Sequence, residues 1–231
     1  MADKKIILIT GASSGIGLST ALEAQNKGFT VIFTSRNIES NDTLKGKLVN
    51  GSVLKNLDVS NETSVKNLFE FVKAKFGKLD ALINCAGFVD PETMLATTLE
   101  NWNATISINL TGTFLCCKYA TNFMKKEGGT IVNVSSTAGL TPRPGWGAYA
   151  ASKSAVIGFS ASISEELSEY NIRVFVICPG RTATPLRKIL APTEDPHTIM
   201  QPETVSNTIL FCLTDEAAPL EGQPILVRER F

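Results

Sequence analysis

Residues 5–10 read Lys-Ile-Ile-Leu-Ile-Thr, an unbroken apolar run rich in β-branched side chains, and similar runs recur along the chain. A strand with one face in water alternates polar and apolar residues. One that is apolar throughout is covered on both faces, as in a parallel sheet. The same pattern predicts strands at 30–34, 52–57, 81–84, 130–135 and 172–177, with a short last one at 224–227. Between them, apolar residues return at helical spacing over 16–27, 62–76, 99–126, 148–170 and 202–213. Gly28 stands just past the first of these as a stop signal. Strands alternating with helices imply right-handed βαβ units, so the expected class is α/β: a doubly wound parallel sheet of about seven strands with helices on both faces.

Composition narrows this picture. A chain of 231 residues without repeats or linkers is expected to form one domain over 1–231. Its 22 basic and 22 acidic residues are interspersed, which argues against a nucleic-acid surface. No apolar stretch approaches the ~20 residues that span a bilayer, and the first apolar run is too short for a secretory signal, so a cytoplasmic protein without membrane contact is expected. The five cysteines, Cys85, Cys116, Cys117, Cys178 and Cys212, lack metal-ligand spacing and read as small buried hydrophobes of a reduced compartment. The single histidine, His197, lies in a proline-flanked loop, so nucleophilic chemistry of the Ser–His or Cys–His kind is not expected.

Two segments carry chemistry. Thr10-Gly11-Ala12-Ser13-Ser14-Gly15-Ile16-Gly17 joins the first strand to the first helix. Glycines there let the backbone approach a pyrophosphate, and the helix start offers free N–H groups and positive dipole to it. The second segment is Tyr149-Ala150-Ala151-Ser152-Lys153. A phenol titrates near ~10, too high for proton transfer at neutral pH. A lysine one helical turn later favours the phenolate, so the pKa of Tyr149 is expected to fall toward the working range.

These residues stand in an order that resembles the short-chain dehydrogenase/reductase family, over roughly residues 5–227. Asp58-Val59 looks like its adenine-contacting pair, Asn84-Cys85-Ala86-Gly87 like its Asn-Asn-Ala-Gly element with cysteine second, and Pro179-Gly180 like the close of its sixth strand. The resemblance implies a Rossmann-type fold and a catalytic tetrad of Asn109, Ser136, Tyr149 and Lys153. Ser136 is preferred over Ser135 because it matches the family's serine-to-tyrosine separation, and the two adjacent side chains point to opposite faces. Ser136 would steady the substrate oxygen and Tyr149 exchange its proton. Lys153 would lower the tyrosine pKa and hold the nicotinamide ribose, and Asn109 would bind a water that resupplies protons. Implied cofactor contacts are Gly11, Ser13, Ser14, Gly15, Ile16 and Gly17, Asp58 and Val59, Asn84, Ala86 and Gly87, Tyr149 and Lys153, and Pro179, Gly180, Thr182 and Thr184.

Cofactor preference is read at the end of the second strand. NAD-selective proteins place an acid there for the ribose hydroxyls, whereas this chain has Ser35 and Arg36. A guanidinium fork suits a 2′-phosphate, so NADP(H) is expected ahead of NAD(H). The short segment 184–202, the substrate loop, carries few large apolar residues, and Arg143, Arg181, Arg187 and Lys188 lie nearby. A small polar or anionic substrate is therefore expected rather than a steroid. The alternatives are a 3-oxoacyl-thioester (acyl carrier protein) reductase, a sugar- or polyol-phosphate reductase, or a non-catalytic NADP(H) sensor. Trp146 either walls the substrate pocket or packs between subunits. The resemblance implies a homodimer or homotetramer, for which Phe114, Tyr119, Phe123, Val156, Phe159 and Ile163 are candidate contacts. The ending after the last strand, 223–231, departs from the family's Asp-Gly-Gly segment.

Overall fold

The first strand, β1 (Ile6–Thr10), is buried at every residue, with Ile7 and Ile9 turned to one core and Ile6 and Leu8 to another. Covering on both faces is why the run has no polar alternation. The computed structural model describes residues 4–229; Arg230 and Phe231, the end of the altered tail, lie outside the described residues. The remaining strands are β2 (Thr30–Ser35), β3 (Val53–Asn56), β4 (Ala81–Asn84), β5 (Gly129–Val134), β6 (Ile172–Pro179) and β7 (Pro224–Val227). They form one parallel sheet in the order β3-β2-β1-β4-β5-β6-β7.

Helices α1 (Gly15–Asn26), α2 (Asp42–Lys45), α3 (Glu62–Phe76), α4 (Leu99–Ile106), α5 (Gly112–Met124), α6 (Gly147–Leu167), α7 (Pro185–Leu190) and α8 (Pro202–Phe211) follow in chain order. One core gathers Ala21 and Ala24 of α1 with Val205 and Ile209 of α8; the other gathers Val65 and Phe69 of α3 with Leu115 and Ala120 of α5. The sheet is thus covered on both sides, as the alternation of strands and helices requires.

Two departures from the expected elements bear on function. The helix expected over 99–126 is interrupted by a π turn, Ser107–Thr111, with Asn109 at its centre. Such insertions are frequent at functional sites. The segment after β6 was expected as a loop, yet Pro185 sits at the start of α7, where its missing N–H costs nothing, and Thr184 caps that helix by accepting from the Arg187 N–H at 3.1 Å.

Strand order turns back between β1 and β4, and at such a switch point the strand ends splay into a crevice. Thr10 and Asn84 face each other there in register. The Thr10 hydroxyl accepts from the N–H groups of Cys85 and Ala86, both at 3.1 Å, and ties the two strand ends together.

Candidate active site

The glycine loop leaves β1 at Gly11, whose φ of +66° lies in the left-handed region. A Cβ on Gly11 would meet the Ala86 backbone at 2.8 Å, and one on Gly17 would meet the Gly11 carbonyl at 2.4 Å. Only glycines let α1 press so close to its own loop. Ser14 stands at the N-cap of α1 without a side-chain hydrogen bond to the helix, and the first turn holds no acid. The leading N–H groups and the helix dipole therefore face the crevice available to an anion.

A cleft of about 1140 Å³ runs from this loop across the carboxyl ends of the strands. Its lining holds Gly11, Ser13, Ser14, Gly15, Ile16 and Gly17, then Ser35 and Arg36, Asp58 and Val59, Ala86 and Gly87, and Pro179, Gly180, Thr182 and Thr184. Arg36 is exposed at one end. A loop backbone free of Cβ obstruction and an uncapped helix start suit the phosphates of a dinucleotide, and Arg36 adds a cation at that end.

Asn84 does not line the cleft, although it was expected among the cofactor contacts. Strand alternation turns its side chain into the sheet's other face, where Nδ2 donates to Asn133 Oδ1 at 2.9 Å and approaches Cys117 Sγ at 3.4 Å. Asn133 in turn donates to Ser160 of α6 at 2.9 Å. Asn84 thus supports the crevice from beneath.

Tyr149, Lys153, Ser135 and Ser136 line the middle of the same cleft. Ser135 donates to the Lys153 carbonyl at 2.7 Å and fixes α6 to the end of β5. Ser136 accepts from the Ala138 N–H at 3.1 Å and lines the cleft together with the phenol of Tyr149. Asn109 is fully buried: its amide clasps the backbone of Phe88, donating to the carbonyl at 2.9 Å and accepting from the N–H at 2.7 Å, and it also donates to Ser152 at 3.0 Å. Its side chain therefore holds the wall of the cleft and does not line it.

The electrostatics correct one expectation. Burial raises the pKa of Tyr149, and the neighbouring Ser136 hydroxyl and the charge of Arg187 oppose that rise. The net direction is upward, not the anticipated drop. Its ammonium lies 5.8 Å from the centre of the phenol ring and donates to the Val134 carbonyl at 2.9 Å. Burial lowers the Lys153 pKa to about 8, against smaller upward contributions from Cys85 and Cys178.

The substrate end is walled by Val89, Ala138, Trp146, Leu186 and Leu190, which pack around Tyr149. Trp146 meets the phenol edge to face, centroids 6.4 Å apart at 82°. Segment 184–202 thus supplies more apolar surface than its composition implied, because α7 turns Leu186 and Leu190 inward together. Of the four nearby cations, Arg143, Arg181 and Arg187 line the cleft, while Lys188 is exposed outside it. Arg187 and Arg181 both pair with Glu194. His197 is exposed and outside the lining. Sequence reasoning did not single out Glu194, which pairs with these arginines from outside the lining, nor the tail residues Arg228 and Glu229, which reach the cleft. Glu194 lies seven residues after Arg187 but beyond the end of α7, so no helical spacing announces the pair.

Three of the apolar residues proposed for subunit contacts are used within the chain. Tyr119 and Phe123 pack on Phe69, and Val156 is buried. Phe159 and Ile163 are partly buried against the core, and Phe114, edge-on to Phe159, is 42% exposed.

The sequence profile for short chain dehydrogenase matches residues 5–195. A 3-oxoacyl-(acyl-carrier-protein) reductase of Thermotoga maritima is 36% identical, over 96% of this chain and 95% of its own. A 3beta-hydroxysteroid dehydrogenase of Mediterraneibacter gnavus is 35% identical, over 95% and 92%. Among solved structures, ElxO with NADP bound superposes with a TM-score of 0.89 at 28% identity, covering 97% of each chain. Among the described residues, no helix is long and apolar enough to cross a membrane.

Proposed function

The chain belongs to the short-chain dehydrogenase family, and on that premise we propose that it is an NADP(H)-dependent oxidoreductase interconverting a carbonyl and a secondary alcohol. The observation that carries this reading is a single cleft lined at one end by the glycine loop and Arg36 and in the middle by Ser136, Tyr149 and Lys153. When bound, the nicotinamide supplies a hydride to the substrate carbon or takes one from it.

Gly11 to Gly17 would hold the pyrophosphate, Asp58 and Val59 the adenine side, and Arg36 the 2′-phosphate. Lys153 would hold the ribose with its ammonium. Ser136, which lines the cleft with the phenol, would donate to the substrate oxygen as charge develops there. Tyr149 would give that oxygen its proton in reduction and take it back in oxidation. Asn109 would keep Phe88 and the adjoining Gly87 in place beside the reacting groups, with its π turn leaving room for a proton path.

For the substrate, the pairing of Arg181 and Arg187 with Glu194 speaks against a receptor for a phosphorylated sugar. A carbonyl flanked by an apolar chain suits the Leu186–Leu190–Trp146 wall better, and we infer a 3-oxoacyl thioester, the substrate named for several relatives. The relative named for a 3β-hydroxysteroid is similar enough that the short loop no longer argues against bulkier apolar ketones. The side chains of Met94, Leu95, Leu99 and Trp102, exposed on α4 and its approach, support assembly as a homodimer or homotetramer.

The test is oxidation of NADPH or NADH against a panel of 3-oxoacyl thioesters, sugar ketones and 3-ketosteroids, with Tyr149→Phe as control. Turnover of a thioester with NADPH ahead of NADH supports the reading. Tight NADPH binding without turnover of any carbonyl would instead favour a sensor.

A further inference from the structure

The substrate end of the cleft holds a charge cluster that none of these roles uses. Arg187 reaches from α7 with its fork closed on one carboxylate: Nε lies 2.6 Å from Glu194 Oε2 and Nη2 2.8 Å from Oε1. Arg181 Nη1 approaches the same Oε1 at 3.3 Å. The Arg187 guanidinium sits 5.9 Å from the ring of Trp146, which is itself edge-on to Tyr149. Both members of the pair are mostly shielded, with side-chain exposures of 17% for Arg187 and 16% for Glu194. A bidentate pair so enclosed holds one geometry, unlike a long side chain wandering in solvent.

Lys153, the cation the sequence points to, approaches the phenol from its own helix and donates one hydrogen bond to the Val134 carbonyl beneath it. We propose that Arg187 is a positioning residue for the proton chemistry of Tyr149, keeping positive charge on the substrate side of the phenol, while Glu194 fixes its place and moderates its strength. The proposal rests on Tyr149 being the proton-transfer group, as argued above. It assigns the α7 cations to tuning the acid instead of gripping an anionic substrate.

The surroundings of Tyr149 are consistent with this division. Ser136 faces the phenol from the end of β5, Lys153 from its own helix, and Arg187 from α7 with Arg181 and Glu194 behind it. Cys85, near Lys153 at the end of β4, is pushed up to about 12 by burial and stays neutral in the working range. Arg143 stands at the exposed rim. Arg187 opposes the upward effect of burial on the phenol, and Glu194 is held below the usual carboxylate range, first by its hydrogen bond to Arg187. Arg187 lines the same cleft as the phenol, and a guanidinium paired with a carboxylate leaves a net field whose size depends on both charges.

The chain has three tyrosines, so Tyr119→Phe with Tyr170→Phe leaves Tyr149 as the only phenol, and its ionisation is read directly by near-ultraviolet phenolate absorbance without any substrate. In that background Arg187→Met is expected to lower the phenolate fraction at a fixed pH by roughly three- to tenfold, the size of one charge acting across a partly wet cleft. Glu194→Gln is expected to raise it, and Arg187→Lys to restore most of it. Unchanged fractions, or shifts of the same sign in Arg187→Met and Glu194→Gln, in variants whose far-ultraviolet dichroism matches the parent, overturn the proposal. Where Arg187→Met does not fold, the sign of the Glu194→Gln shift decides. Wild-type NADPH oxidation, measured separately, tests the catalytic reading, so the two failures are distinguishable.

Discussion

Lys153 and Val134 are joined beneath the cleft, the ammonium donating to the backbone carbonyl at 2.9 Å where β5 ends. The lysine is 5% exposed, so its charge is held against a desolvation cost that this one carbonyl offsets only in part. Its pKa of about 8 lies below the 10.5 of an unhindered lysine. The unfolded chain therefore binds more protons than the folded one between those values, and this group makes stability rise with pH across about 8 to 10.5. Lys153→Met is expected to gain roughly 1–2 kcal/mol of stability in urea melts at neutral pH by removing the buried charge. It is expected at the same time to lose turnover. A variant less stable than wild type would contradict the cost assigned to that ammonium.

The same titration affects binding. Above about 8 Lys153 becomes neutral in the free protein, and the affinity for NADPH is expected to fall as pH rises through that value. Fluorescence titration of NADPH across the range measures this. Lys153→Met should flatten the profile, since it removes the titrating group.

Replacing Tyr149 by Phe keeps the ring that packs against Trp146 and removes only the hydroxyl. Turnover is expected to fall by about 10²–10⁴, the usual worth of a positioned proton donor. Melting temperature and NADPH affinity should change little. A drop in affinity as large as the drop in rate would mean that the phenol serves binding and not proton transfer.

Gly17→Ala directs a methyl group at the Gly11 carbonyl, 2.4 Å away in the present backbone. Neither atom belongs to a flexible side chain, so the loop itself must move. A loss of roughly 2–4 kcal/mol is expected, together with loss of NADPH binding. Thermal melts with and without NADPH check both, and a variant retaining the ligand-induced rise in melting temperature would contradict the close approach.

Arg36→Ala is expected to raise the KM for NADPH by about tenfold or more while leaving that for NADH nearly unchanged, because a charged hydrogen bond to the extra phosphate is worth about 1.5–3 kcal/mol. Steady-state kinetics with both cofactors measure the ratio. Equal losses with the two would assign Arg36 to adenine stacking.

How far the residues foretold the molecule depends on the range of the interaction. Strands such as β1 were legible because burial on both faces demands a continuous apolar run, and α3 because its apolar residues return at helical spacing to one buried face. The glycine loop and the Tyr149–Lys153 spacing were legible because each is local. The phenol's raised pKa was not, since desolvation by Trp146, Leu186 and their neighbours is set by packing between distant segments. The turning of Asn84 toward Asn133 follows from strand parity, but its consequence for the cleft needed the sheet order. Glu194 closes on Arg187 across the end of α7, a geometry no periodic pattern encodes.

The π turn at Ser107–Thr111 carries one residue more than regular winding needs. Deleting a residue there would restore ideal coiling and leave Leu115, Cys116 and Ala120 of α5 on the core. The widened turn itself would be lost, and Asn109 would let go of Phe88. The irregularity is thus a local accommodation: it lets a single rod present one side to the sheet along α5 and still hold the wall of the cleft through Asn109.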